Sequence, residues 1–111
     1  MTWTFEKIEM MLDNTGMPWA YHHFERNKAE PPPFLVYLLK KSNNMSADNK
    51  IYHKAKQLVI EAYFDRKDQK AEKRIESILD EAKMVYQSYE DYIESEGLYL
   101  VRYEMEVMIN G

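Results

Sequence analysis

The chain contains no cysteine, which excludes disulfides and thiolate metal sites. Glycine is almost as scarce. The three residues Gly16, Gly97 and Gly111 are too scattered to build a loop that cradles phosphate. Basic side chains number 15 against 19 acidic ones, so the net charge is −4. Nucleic-acid phosphates call for clustered Lys and Arg, and this balance argues against DNA as a primary ligand. Long apolar runs are also missing: the longest, 34–39, is far too short to cross a bilayer, which takes about 20 residues. Met1-Thr2-Trp3-Thr4-Phe5-Glu6 lacks the basic start and long apolar segment of a signal peptide. The expectation is a protein made and assembled in a cytoplasm, with no membrane partner.

What is present is ordinary globular patterning. At 111 residues with 45% hydrophobic and 31% charged side chains, the chain should fold as one domain, 1–111, around a two-layer core. Phe5, Ile8, Met11 and Leu12 recur at helical spacing, with Glu6, Lys7, Glu9 and Asp13 opposite. A helix over 4–14 follows, with Thr2 or Thr4 as cap, Gly16 as a left-handed stop and Pro18 forbidding continuation. The aromatic-rich segment 19–24 reads as a strand, and Pro31-Pro32-Pro33 as a polyproline-like approach to the next one. The apolar run 34–39 is a strand expected to be covered on both faces, by a helix layer and by either a further layer or a neighbouring subunit.

Ser42 to Lys50 has loop chemistry, and 57–64 alternates as a third strand before the polar turn Asp65-Arg66-Lys67-Asp68. Ala71, Ile75, Ile78, Leu79 and Ala82 form the apolar stripe of a second helix within 68–83. The segments 84–92 and 98–109 make a closing hairpin around Glu94-Ser95-Glu96-Gly97. In its last strand Tyr99, Val101, Tyr103, Met105, Val107 and Ile109 share one face, and Arg102, Glu104 and Glu106 the other. The predicted fold is α+β, a two-layer sandwich of order α-β-β-β-α-β-β, with two helices on one side of a mostly antiparallel sheet.

No catalytic arrangement emerges, and neither a cofactor nor a metal is expected. His22 and His23, adjacent in the predicted strand, should point to opposite faces and cannot share a metal, and His53 has no second ligand at a suitable spacing. Glu72, Glu76 and Asp80 form an acidic stripe whose repulsion, about 0.2–0.5 kcal/mol per pair, Lys73 and Lys83 offset. It reads as a solvated helix face, with contact to a basic partner as the alternative. Of Tyr86, Tyr89 and Tyr92, at least one must be exposed, and exposed tyrosines suit interfaces because they bring large area at little rotamer cost.

Several stretches carry a family resemblance: Ala20-Tyr21-His22-His23-Phe24, Pro32-Pro33-Phe34-Leu35-Val36-Tyr37-Leu38, Asn43-Asn44 with Ala47-Asp48-Asn49-Lys50-Ile51-Tyr52, Ile60-Glu61-Ala62-Tyr63 with Asp65-Arg66-Lys67-Asp68, Tyr92-Ile93-Glu94-Ser95-Glu96-Gly97-Leu98-Tyr99, and Tyr103-Glu104-Met105-Glu106-Val107. Over about residues 4–108 the chain resembles tail-completion and tail-terminator proteins of tailed phages and prophages of Gram-positive bacteria. One departure is Leu39-Lys40-Lys41, which extends the second strand toward Ser42 where a glycine or proline turn would be expected. The resemblance implies a tail-terminator-like fold and a ring, usually hexameric, that caps the tail tube and receives the head. The partners would be further copies of the chain, the tail-tube protein and a head-completion or connector protein. DNA would pass only as non-specific contents of the lumen. The location would be the virion tail, after assembly in the host cytoplasm. Interface candidates are Phe34, Val36, Leu38, Asn43, Asn44, Met45, Asp48, Tyr89, Glu104 and Glu106. The other readings are a stand-alone interaction module, another minor phage structural protein such as a minor capsid or head–tail connector component, and a small enzyme or ligand-binding domain with a deep polar pocket.

Overall fold

A computed structural model describes residues 2–24, 30–41 and 54–109. The predicted loop over 42–50, with Asn43, Asn44, Met45 and Asp48, lies outside the described residues, as does His53. The element order is α1 (Phe5–Asp13), β1 (Trp19–Tyr21), β2 (Phe34–Lys41), β3 (Lys54–Phe64), α2 (Gln69–Glu81), β4 (Tyr86–Ile93) and β5 (Leu98–Ile109). The five strands form one sheet in the order β1-β2-β3-β5-β4. Three of its pairings are antiparallel; β1 joins β2 in parallel, so the sheet is mixed. The expected order of helices and strands is the observed one.

The centre of the sheet is β3 against β5, in register from Lys54↔Ile109 to Phe64↔Tyr99. Directly opposite residues share a face, so two sets of side chains follow. Leu58, Ile60, Ala62 and Phe64 of β3 join Val101, Tyr103, Met105, Val107 and Ile109 of β5 in the main core. Leu35 and Tyr37 of β2, Ile8, Met11 and Leu12 of α1, Ile75 and Leu79 of α2, and Met84 just after α2 complete it. Both helices therefore pack their apolar stripes on the same sheet face. Truncation of a wholly buried member such as Leu58 removes area and leaves a void, a loss of about 2–5 kcal/mol.

Local chemistry sets the ends of the elements. Thr4 Oγ1 accepts from the Lys7 amide at 3.1 Å and Asp68 Oδ1 from the Ala71 amide at 3.1 Å, so each helix has a side-chain cap. After α1, Gly16 takes φ 76° as expected of a left-handed stop. After α2 the left-handed position falls on Lys83 at φ 59°. There the Lys83 amide donates to Asp80 O and the Met84 amide to Leu79 O, which is the Schellman closure with a lysine where glycine is the usual occupant.

Strand boundaries differ from expectation at several places; β4, for one, begins at Tyr86 rather than residue 84 because Met84 still closes α2, and β2 continues past residue 39 to Lys41. The first strand stops at Tyr21 rather than reaching residue 24 because His22 leaves the extended region at φ 70°. There the His23 amide donates back to Tyr21 O at 2.8 Å, closing a three-residue turn. The third strand begins at Lys54, three residues before the expected alternation. Its polar opening is held by pairing with β5 on one side and Lys40 and Lys41 of β2 on the other. The Pro32–Pro33 peptide is cis, unlike an all-trans polyproline segment.

Lys83→Gly removes a side chain from a backbone conformation that costs an L-residue roughly 1–2 kcal/mol. Part of that gain is offset by the greater freedom of glycine in the unfolded chain. The expected net effect is a stabilisation of about 0.5–1 kcal/mol, read as a higher urea midpoint at unchanged slope. A lower midpoint would show that the lysine itself holds the helix end.

Candidate interaction face

The sheet face turned away from the helices has no described helix over it. On β2 it carries Phe34, Val36 and Leu38, which sit opposite Tyr63, Glu61 and Val59 of β3. Those in turn sit opposite Leu100, Arg102 and Glu104 of β5. Asp91, Tyr89 and Gln87 of β4 finish the three rungs. All six described interface candidates, Phe34, Val36, Leu38, Tyr89, Glu104 and Glu106, thus occupy one face, although they come from three strands. Val59 is wholly buried and Val36 only 6% exposed. No described helix lies over them, so the two-sided burial anticipated for β2 is met by helices on one side only.

The charges on this face are partly organised. Arg102 Nε donates to Glu61 Oε2 at 3.4 Å, and Glu61 Oε1 accepts from the Tyr63 hydroxyl at 3.0 Å. Gln57 Nε2 donates to Glu104 Oε1 at 3.2 Å. Tyr89, at 48% exposure, donates only to Gln87 beside it, at 2.7 Å. Of the three tyrosines of β4, Tyr89 and Tyr92 are exposed and Tyr86 is half-buried against the core.

At one end of the face a cleft of about 670 Å³ opens. Its floor is aromatic: Phe34 and Tyr63 stack at 4.9 Å and 19°, and Phe24 meets the Phe34 edge at 5.3 Å and 86°. Glu30, Glu61, Asp65 and Glu96 surround it, together with His22 and His23. The histidines correct one expectation. They lie beyond the strand end, and the left-handed backbone of His22 brings the two rings together, with Nδ1 to Nδ1 at 3.0 Å. At least one of these nitrogens must then be unprotonated to accept. Among the described residues no group of three or more His, Asp or Glu side chains could hold a metal ion.

On the helix side, buried tyrosine hydroxyls tie the two layers together. Tyr37 donates to Glu9 of α1 at 2.5 Å, and Tyr103 donates to Glu76 of α2 at 3.1 Å. Glu76, expected on a solvated stripe, therefore has an inward partner. Glu72 of that stripe pairs with Lys67 at 3.0 Å, and Lys67 also pairs with Glu90 of β4. A shallower cleft between the helices is lined by Trp3, Met10 and Arg74 among others. No described helix is long and apolar enough to cross a membrane.

Burial, and then the adjacent carboxylate, pushes the Tyr63 hydroxyl up from its ordinary 10 to about 12. The same two causes, with Glu9 and Glu76, push Tyr37 and Tyr103 higher still. Below pH 10 both folded and unfolded chains hold these protons, and the contribution to stability is complete. Above it the unfolded chain releases protons that the folded one keeps, so stability falls as pH rises through the window up to each folded value. For the fully buried Tyr37 and Tyr103 the loss is about 1.4 kcal/mol per residue per pH unit. Urea midpoints measured from about pH 9 upward should drop steeply past pH 10, and Tyr37→Phe or Tyr103→Phe should flatten that drop. A midpoint insensitive to pH over that range would contradict the assignment.

No protein-family model, curated protein or solved structure matches the chain.

Proposed function

We propose that the chain is a structural protein of a phage virion that caps the tail tube and joins tail to head as a ring of identical copies, without catalysis. The observation that carries this reading is the second face of β2. Phe34 and Leu38 remain half-buried on either side of the buried Val36, on a sheet face with no described helix over it, and a neighbouring copy can cover what the chain leaves open there. The tail-terminator resemblance of the sequence supplies the identity of that neighbour, a further copy of the chain. A ring needs a heterologous contact, in which two different patches of each copy meet, and leaves two end surfaces for the tail-tube and head-connector proteins. The half-exposed Tyr89 and the carboxylates of Glu104 and Glu106 on the same face fit the polar rim of such a contact.

Deletion of the gene from its phage or prophage, followed by electron microscopy of the particles, tests the reading. Overlong tails, or heads and tails that fail to join, are expected; complete infectious particles would overturn it. A finer test uses Tyr89→Ala in complementation of the deletion. Because Tyr89 is exposed, the variant should keep the fold with stability within about 0.5 kcal/mol, yet lower the titre of joined particles.

A further inference from the structure

The two ends of the sheet differ in charge. At the end where β2 begins, the cleft has an aromatic floor and carboxylates around it. Glu61 is engaged by Arg102 and Tyr63. Glu30, Asp65 and Glu96 are exposed and form no ion pair among the described residues. At the other end, where β2 finishes, the charge is reversed. Lys41 stands directly opposite Lys56 of β3, and Lys40 is its neighbour on β2. Like charges directly opposite on antiparallel strands destabilise the pair. None of these three lysines forms an ion pair among the described residues.

We propose that the cleft floored by Phe34 and Tyr63 receives the lysine end of β2 and β3 from a second copy of this chain. This rests on the reading of the protein as a ring and specifies which two patches meet. A cleft of about 670 Å³ has room for long side chains, and lysine stems cover apolar floor while their ammonium groups stay among carboxylates. The stacked rings of Phe34 and Tyr63 give those stems an apolar floor. In return the carboxylates of one copy relieve the Lys41–Lys56 repulsion of the next. The cleft and the lysines lie at opposite ends of the same strands, so the contact is head-to-tail. A head-to-tail contact passed on in one direction closes into a ring when its rotation permits, whereas a reciprocal exchange of the two ends would stop at a two-fold dimer, which the size of the assembly distinguishes.

A charge exchange decides the matter. One variant carries Lys40→Glu and Lys41→Glu, the other Glu30→Lys and Glu96→Lys. All four positions are exposed, so circular dichroism should show both variants folded. By sedimentation velocity at low ionic strength, the wild-type chain should self-associate with rising concentration. Each variant alone should associate on the order of tenfold more weakly. An equimolar mixture of the two should recover the wild-type behaviour, because every reversed cleft then finds a reversed strand end. Salt at about 0.5 M should weaken the wild-type and the mixed assemblies alike. If both variants associate like the wild type, the ring contact lies elsewhere and this proposal fails while the capping function stands. A wild-type chain that remains monomeric at every concentration also overturns it. The gene deletion judges the capping function separately.

Discussion

The pairing of β3 with β5 is the constraint on which the rest of the molecule depends. These two strands hold the middle of the sheet, and their register decides which side chains meet the helices. A slip of one residue would turn Leu58, Ile60 and Ala62 away from α1 and α2 and present Val59 and Glu61 to them instead. That would bury the Glu61 carboxylate on the helix side while Arg102 of β5 stayed on the opposite face, so the ion pair between them would be lost. The register is thus enforced twice, by the apolar set on one face and by the ion pair on the other.

The layers are also joined by polar ties of one kind. Tyr37 and Tyr103 each present a ring to the core and a hydroxyl to a helix carboxylate. The ring supplies apolar area, while the hydroxyl finds an acceptor and so escapes the penalty of an unpaired buried donor. Since the two bonds reach different helices, α1 and α2 are each fixed in rotation about their own axes as well as in position. Purely apolar stripes would leave that rotation looser.

Much of this arrangement could be read from residue order. The period-two pattern of β5 and the apolar stripe of α2 need only local chemistry, and both elements stand where that chemistry places them. Boundaries set by pairing were less legible. Lys54 to Gln57 has no apolar alternation of its own and is extended because β5 holds it throughout and β2 holds Lys56 and Gln57 from the other side. The His22 turn was hidden for the same reason, since nothing in Tyr-His-His-Phe marks the second residue as left-handed. Once it is, two side chains expected on opposite faces meet at the rim of a cleft. The gathering of Phe34, Val36, Leu38, Tyr89 and Glu104 on one face needed the strand order, which spacing along the chain does not reveal.

The two margins of the sheet are unequal, with three residues of β1 at one side and eight of β4 at the other. Further sheet growth by strand addition is accordingly one-sided: a three-residue stub offers too few backbone groups to template an incoming chain, whereas β4 offers a full row. That row bears Glu90 and Asp91 at its middle, and an antiparallel second β4 aligned on itself would set acid against acid. The long margin therefore disfavours antiparallel pairing with its own copy, since acid would face acid across the new ladder.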